Sequence, residues 1–254
     1  MSPAVTVPDL RADGKVVVVT GASKGLGRAI ALGFAASGAD VVVSSRKLDA
    51  CEIVAGEIRA AGGRALAVAC HVGNWDDCDR LIRETVDAFG RVDVLVNNAG
   101  IAPVPPSLAG VTSELFDKTV AVNLKGPLRL IGAASAHMPP GGAIVNISSK
   151  AAAHPSPFTV VYAAAKAGLN VLTTAAAQEL GPKGIRVNCI MCGTFDTDSL
   201  RSGMDDEALA AAAKNISVGR VASADEIVGT VLYMASDASS YLTGQTVMLD
   251  GGGA

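Results

Sequence analysis

A tyrosine and a lysine four residues apart, Tyr162 and Lys166, have the types and spacing needed for acid–base chemistry. On a helix, residues i and i+4 lie on one face, so the phenol and the ammonium would be neighbours. The ammonium would favour the phenolate by Coulomb attraction and lower the phenol pKa from its usual value of about 10. Such a phenol can exchange a proton with an alcohol or ketone oxygen. Taken alone, however, the pair more often marks an ordinary exposed helix face.

A second stretch, residues 15–28 (KVVVVTGASKGLGR), predicts an anion-binding turn. Residues 16–19 are four consecutive valines, which is typical of a strand buried on both faces. Gly21, Gly25 and Gly27 follow, and a helical pattern begins there. The unpaired N–H groups of a first helical turn favour an anion, and missing side chains would let a pyrophosphate approach the backbone. The spacing G-x-x-x-G-x-G differs from the general dinucleotide fingerprint, so a plain strand-to-helix turn is the alternative interpretation.

Strand and helix patterns alternate along the rest of the chain. Apolar runs predict strands at residues 16–19, 41–45, 65–70, 92–96, 143–147, 185–190 and 246–249. Helical spacing after the glycine turn predicts further helices at residues 51–61, 76–89, 111–138, 161–180 and 224–235, with a candidate bend at Gly126-Pro127. Strands separated by helices form a parallel sheet covered on both faces. The sequence therefore predicts an α/β fold with a parallel sheet, and ligands bind such sheets at the carboxyl ends of the strands.

Small and polar residues follow four of the predicted strands. The glycine turn follows the first strand, residues 97–100 (NNAG) follow the fourth, Ser148 and Ser149 follow the fifth, and Cys192-Gly193-Thr194 follow the sixth. Each group alone could be ordinary turn chemistry. Because the carboxyl ends of parallel strands meet at one edge of the sheet, the four groups together predict a nucleotide site there.

Composition narrows the class of protein further. The chain has 254 residues, of which 50% are hydrophobic and 18% charged, and its net charge is −3. The slightly negative net charge gives no electrostatic reason to expect binding to nucleic acid. No apolar run reaches the length of a membrane span, and the first residues lack a signal-peptide pattern. Five cysteines fit a reducing compartment, so we expect a cytoplasmic protein. Cys189 and Cys192 form a C-x-x-C that we interpret as coincidence, and three scattered histidines make a metal site unexpected.

Together these motifs resemble the short-chain dehydrogenase/reductase family. The matching motifs, in order, are Thr20-Gly21-x-x-x-Gly25-x-Gly27, Asn97-Asn98-Ala99-Gly100, Asn123, Ser149, Tyr162-x-x-x-Lys166, Gly193 and the tail at residues 241–252. The resemblance covers about residues 13–252 and is strongest to the branch that includes 3-oxoacyl-carrier-protein reductases. It implies a Rossmann-type doubly wound sheet in a single domain over residues 13–254. The prolines and charges of the first residues indicate an arm at residues 1–12, and the mixed Asp, Ser, Leu and Ala composition of residues 194–216 indicates a substrate lid.

The resemblance also implies the roles of four catalytic residues. Tyr162 would be the general acid in reduction and the general base in oxidation, and Lys166 would hold the nicotinamide ribose and lower the phenol pKa. Ser149 would hydrogen-bond the substrate oxygen as negative charge develops there. Asn123 would anchor a water molecule that supplies protons through Lys166.

The cofactor contacts come from the glycine turn and from the same resemblance. They are Gly21, Ser23, Lys24, Gly25, Leu26, Gly27, Ser45, Arg46, Val72, Asn97, Ala99, Gly100, Ile147, Tyr162, Lys166, Gly193, Phe195 and Thr197. NADP(H) is expected rather than NAD(H), because Ser45 and Arg46 stand where an NAD enzyme places an acid at the end of the second strand. A serine and a guanidinium can bind a 2′-phosphate, and Lys24 adds a second cation. Solvated surface charges are the alternative interpretation of Lys24 and Arg46.

Three residues depart from the family pattern. Cys192 stands where a proline usually precedes Gly193, His71 replaces an aspartate near the adenine, and Ala224 replaces a helix-start proline.

The expected activity is NADP(H)-dependent interconversion of a small-molecule ketone and a secondary alcohol. A non-catalytic nucleotide-binding protein of the same fold and a reductase specific for 3-oxoacyl thioesters remain as alternatives. Alanine-rich helices and the family resemblance predict a homotetramer.

Overall fold

The central element of the computed structural model, which describes residues 8–253, is a seven-stranded parallel sheet. The strands of the large sheet are β1 (Val16–Thr20), β2 (Asp40–Ser45), β3 (Arg64–Ala69), β4 (Val94–Asn97), β5 (Ala143–Ser149), β6 (Arg186–Cys192) and β9 (Thr246–Leu249). Two further strands, β7 (Phe195–Asp196) and β8 (Ala222–Ser223), form a separate two-stranded sheet. The order across the large sheet is β3-β2-β1-β4-β5-β6-β9. The order reverses between β1 and β4, which is where a doubly wound sheet binds its ligand. The predicted fold class is confirmed.

Helices cover both faces of this sheet. They are α1 (Gly25–Ala36), α2 (Leu48–Ala60), α3 (Trp75–Phe89), α4 (Ser113–Val120), α5 (Gly126–Ser135), α6 (Val160–Leu180), α7 (Asp198–Arg201), α8 (Asp206–Ala213) and α9 (Val228–Ala235). The helix predicted at residues 224–235 begins instead as a 3₁₀ turn, Ala224–Ile227, closed by a capping box between Ser223 and Glu226.

The helix predicted over residues 111–138 is shorter in the structure, and its regular pitch is interrupted just before the candidate bend at Gly126-Pro127. The structure has α4 and α5 joined by a π-helical turn, Ala121–Lys125. Pro127 follows this turn and has no N–H to donate to the preceding turn, so the regular i→i−4 ladder is interrupted there. A π turn accommodates such an interruption without ending the helical path.

The valines of β1 show how the sheet separates two cores. Val17 and Val19 belong to one cluster with Ile30 and Phe34 of α1, whereas Val18 belongs to the other with Leu81 of α3. Successive side chains of a strand point to opposite faces, so a strand between two helical layers is apolar at every position. Of the predicted arm, residues 1–7 lie outside the described part of the chain, while Ala12 packs into the first cluster.

One helical segment, Pro157–Lys183, is long and apolar enough to cross a membrane by length and composition alone. It contains α6, which packs against β5 and β6. A core helix of a soluble protein passes the same test, and this one carries both Tyr162 and Lys166. The sequence expectation that no segment reaches this length is therefore corrected.

Candidate active site

Tyr162 and Lys166 of α6 face the carboxyl end of β5. The Lys166 side chain is buried, and its Nζ donates to the carbonyl oxygen of Ile147 at 2.7 Å. The same Nζ lies 5.8 Å from the centroid of the Tyr162 ring, so the two residues share one helix face as predicted. Ser149 is the last residue of β5, and its Oγ accepts a hydrogen bond from the N–H of Ala151 at 3.2 Å.

The protonation chemistry of the pair differs from the sequence expectation. Burial raises the pKa of Tyr162, and a hydrogen bond with Ser149 opposes that rise. Burial also lowers the pKa of Lys166 to about 8. Desolvation therefore dominates both groups, because the ammonium points at a backbone carbonyl and lies at some distance from the phenol ring. In the protein alone the phenol retains its proton at neutral pH.

Asn123 is held in the centre of the π-helical turn. Its Nδ2 donates to the carbonyl oxygens of Ile101 at 2.8 Å and Thr119 at 2.9 Å, and its Oδ1 accepts from the N–H of Ile101 at 3.3 Å. A Cβ atom at Gly100 would lie 3.0 Å from Asn123 Oδ1 and 3.6 Å from Lys166 Nζ. The backbone of Gly100 thus lies against both polar groups, and the structure brings all four predicted catalytic residues to one end of the sheet.

The glycine turn is closed by backbone contacts that exclude side chains. Gly21 has a φ of +65°, and a Cβ atom at Gly27 would lie 2.3 Å from the Gly21 carbonyl oxygen. Thr20 Oγ1 accepts from the N–H groups of Asn98 and Ala99, both at 3.1 Å, and Asn98 Nδ2 donates to the Thr20 carbonyl at 2.8 Å. Thr20 and Asn98 position the turn but were missing from the predicted site residues. Their place in the motifs at two strand ends was the signal for them.

The turn fits a dinucleotide pyrophosphate. Ser23 and Lys24 precede the first turn of α1, Leu26 lies within it, and no acidic residue occupies that turn to repel an anion. Thr197 lies over the turn, because a Cβ atom at Gly25 would be 3.4 Å from its Cβ and Cγ2. These residues form the cradle that a dinucleotide would occupy.

Asn97, at the end of β4, starts a buried polar chain. Its Nδ2 donates to Asn146 Oδ1 at 2.9 Å, and Asn146 Nδ2 donates to Thr173 Oγ1 at 2.9 Å. Asn97 Oδ1 is buried and has no hydrogen-bond partner within residues 8–253. An unpaired buried acceptor is costly, so this oxygen is a candidate acceptor for a ligand group.

Two exposed cations lie at the predicted adenosine end. Neither Lys24 nor Arg46 has an ion-pair partner in the described part of the chain. Ser45 Oγ lies 3.1 Å from the thiol of Cys51. Val72 is buried, whereas His71 is exposed and its Nδ1 accepts from the N–H of Gly73 at 3.2 Å.

The loop after β6 requires a glycine at position 193, because Asp250 lies against its backbone. A Cβ atom at Gly193 would lie 2.5 Å from Cβ of Asp250. Phe195 is buried in the first core cluster, and Thr197 caps α7 by accepting from the N–H of Leu200 at 3.3 Å. Cys192 is buried and free, and burial raises the pKa of its thiol to about 12, which makes it unreactive.

Comparisons with known proteins agree with this geometry. Residues 21–253 match a family described as enoyl-(acyl carrier protein) reductase. The human dehydrogenase/reductase SDR family member 4 is 37% identical over 241 residues, covering 94% of this chain and 87% of that protein. The chain belongs to the short-chain dehydrogenase/reductase family.

Other short-chain dehydrogenases/reductases match nearly end to end. The L-rhamnose 1-dehydrogenase (NAD(P)(+)) of Azotobacter vinelandii is 39% identical, with 94% of this chain and 96% of that protein covered. The 3-oxoacyl-[acyl-carrier-protein] reductase of Synechocystis has the same identity and the same coverage. A Burkholderia cenocepacia short-chain dehydrogenase solved with NADP superposes with a TM-score of 0.90 at 33% identity, over 95% of this chain and 98% of that one.

Proposed function

We propose that the protein is an NADP(H)-dependent oxidoreductase that interconverts a small ketone and a secondary alcohol. The observation that carries this proposal is the convergence of Ser149, Tyr162, Lys166 and Asn123 at the carboxyl end of β5, next to the glycine turn. The nicotinamide supplies the hydride when bound. Turnover of a panel of ketones, followed by NADPH consumption, tests the proposal.

Residues of the chain stabilise the developing negative charge and supply the proton. Ser149 hydrogen-bonds the substrate oxygen and stabilises the negative charge that develops there. Tyr162 then donates its proton to that oxygen. Because burial raises the pKa of Tyr162, the phenol is protonated at neutral pH and suited to reduction. Lys166 and Asn123 form the polar path from which the phenol regains its proton.

The cofactor preference is carried by Arg46 and Lys24. Charge-assisted hydrogen bonds contribute about 1.5–3 kcal/mol each, so these cations should favour NADPH over NADH by at least about tenfold. Arg46→Asp is expected to erase or reverse this preference, because its carboxylate would repel the 2′-phosphate. Fluorescence titration with both cofactors measures the ratio.

Lys183→Asp is the matched control for this titration. It makes the same change of charge at an exposed residue just before β6, at the opposite edge of the sheet. We expect it to leave the preference unchanged. Wild-type protein that binds NADH as tightly as NADPH would contradict the assignment.

We also propose a homotetramer. Exposed apolar side chains lie on or beside α4, α5 and α6, at Phe116, Leu128, Phe158 and Val171, and Met248 lies on β9, the edge strand of the sheet. Light scattering at micromolar concentration should give a mass of four chains. Val171→Glu should lower that mass, because it places a charge on this apolar surface. A monomeric wild type would exclude the tetramer.

The structure also supports proposals for a substrate lid and for the cellular compartment of the protein. Residues 194–216 contain β7, α7 and α8, and we propose that they act as the substrate lid, since Thr197 already touches the glycine turn. All five cysteines are buried and free, which supports a reducing compartment, and we propose the cytoplasm.

Reduction of 3-oxoacyl thioesters is the second candidate activity. The similarity to the Synechocystis 3-oxoacyl-[acyl-carrier-protein] reductase favours it. Acetoacetyl-coenzyme A in the same NADPH assay distinguishes it from the reduction of simple ketones.

A further inference from the structure

A cavity of about 210 Å³ opens at the carboxyl ends of β5, β6 and β9. Ser149 of β5 pairs with Cys192 of β6, and Cys192 pairs with Leu249 of β9. The residue that follows each strand in this row lines the cavity: Lys150, Gly193 and Asp250. Because Lys150 directly follows Ser149 in the chain, this cavity is a candidate place for the rest of the substrate.

Lys150 and Asp250 form an ion pair in the cavity wall. Nζ of Lys150 lies 3.8 Å from Oδ2 of Asp250, and the two side chains are 22% and 12% exposed. The N–H of Gly252 donates to Oδ1 of Asp250 at 3.0 Å, which fixes the carboxylate. The wall therefore presents a donor and an acceptor of opposite charge close together.

The chain beyond β9 holds this pair in place. Ser217 Oγ donates to the Gly252 carbonyl at 2.6 Å, and the N–H of Val218 donates to the Gly251 carbonyl at 3.1 Å. A Cβ atom at Gly253 would lie only 2.9 Å from Lys150 Nζ. The backbone at Gly253 thus confines the ammonium, and the segment after α8 anchors that backbone.

We propose that the Lys150–Asp250 pair selects neutral, hydroxyl-bearing substrates, an inference that rests on the proposed reductase function. A hydroxyl group both donates and accepts, so it can satisfy the carboxylate and the ammonium together. An alkyl group would desolvate the two charges without replacing their hydrogen bonds with water. A carboxylate on the substrate would be attracted by Lys150 but repelled by Asp250.

The remaining lining and the size of the cavity agree with this class. Thr194 and Asn215 add a hydroxyl and an amide to the wall, and Ala212 and Ile216 form its apolar part, which can pack against the carbon atoms of the substrate. The volume corresponds to about seven water molecules at ~30 Å³ each, which suits a substrate of a few carbon atoms.

Two ketones of equal size test the selection directly. Dihydroxyacetone and diethyl ketone differ only in the exchange of two hydroxyl groups for two methyl groups, and acetoacetate supplies the anionic comparison. With saturating NADPH, wild-type protein should reduce dihydroxyacetone with a kcat/KM at least about tenfold above that of either competitor. Lys150→Met should lower this ratio at least about tenfold through KM, while diethyl ketone is affected much less.

Lys150→Met removes the ion pair of Asp250 and could therefore fail to fold, so two other variants test the proposal independently. Asp250→Asn keeps the shape and removes the charge, and it should turn the preference toward acetoacetate. Gly253→Ala keeps both charges but displaces the ammonium, and it should also lower the dihydroxyacetone ratio. Lys183→Met is the control and should change no ratio, and NADPH titration verifies that each variant retains its cofactor site.

The outcomes separate this inference from the proposed function. A wild type that reduces diethyl ketone or acetoacetate as well as dihydroxyacetone would overturn the selection but leave the reductase activity standing. If Lys150→Met keeps the wild-type ratio of kcat/KM for dihydroxyacetone to that for diethyl ketone, the selection is also overturned and the reductase activity still stands. A wild type that binds NADPH and reduces no ketone would overturn both.

Discussion

Replacing Tyr162 with phenylalanine is expected to lower kcat for ketone reduction by about 10²- to 10⁴-fold. The ring still packs on α6, but the proton donor next to Ser149 is lost. NADPH binding should remain nearly unchanged, because the glycine turn, Arg46 and Asn97 are untouched. Steady-state kinetics and cofactor titration on the same preparation measure the two effects separately.

Tyr241→Phe is the matched control, since it removes the same hydroxyl from a fully exposed ring. It should keep the wild-type rate. A Tyr162→Phe variant that retained about half the wild-type rate would show that the phenol is not the general acid. Loss of NADPH binding together with the rate would instead show that Tyr162 maintains the cofactor site.

Lys166 should make the stability of the protein depend on pH in the alkaline range. Its ordinary pKa is 10.5, and burial lowers the pKa to about 8 in the folded state. Below pH 8 both states hold the proton, and the folded state carries the full penalty of a buried ammonium. Between pH 8 and 10.5 the unfolded chain binds more protons, so the free energy of unfolding rises with pH, by up to about 3 kcal/mol in total.

Lys166→Met isolates this contribution. Urea denaturation of both proteins without cofactor, at fixed protein concentration and at intervals from pH 7 to 10, gives the difference in free energy of unfolding. We expect wild type to gain stability relative to the variant as pH rises through 8, whereas Lys183→Met should give a flat difference. A constant difference for Lys166→Met would mean that its ammonium is equally solvated in both states.

The layout of the fold follows from local patterns, and this is why most of it could be predicted. Four consecutive valines in β1 require apolar layers on both sides, and the glycines after them require a close backbone turn. The π-helical turn could not be predicted, because residues 121–125 fit the same apolar spacing as a regular helix. The backbone shows the change of pitch, because the N–H of Gly126 donates to the carbonyl oxygen of Ala121, five residues earlier.

The catalytic pair shows the corresponding limit for chemistry. The i, i+4 spacing correctly placed Tyr162 and Lys166 on one face, but the direction of the phenol pKa depends on burial, which spacing does not contain. The Lys150–Asp250 pair joins residues a hundred positions apart in the chain. It arises from the register of three strands, and no local pattern indicates that register. The cofactor preference of Arg46 and Lys24 stays a prediction.

The bonding of the glycine-rich tail to the segment after α8 has a practical consequence for handling the protein. Gly253 lines the cavity, and a Cβ atom there would lie 2.9 Å from Lys150 Nζ, so a change made at or just after this glycine risks disturbing the cavity wall. Affinity tags and fusion partners therefore belong at the amino terminus.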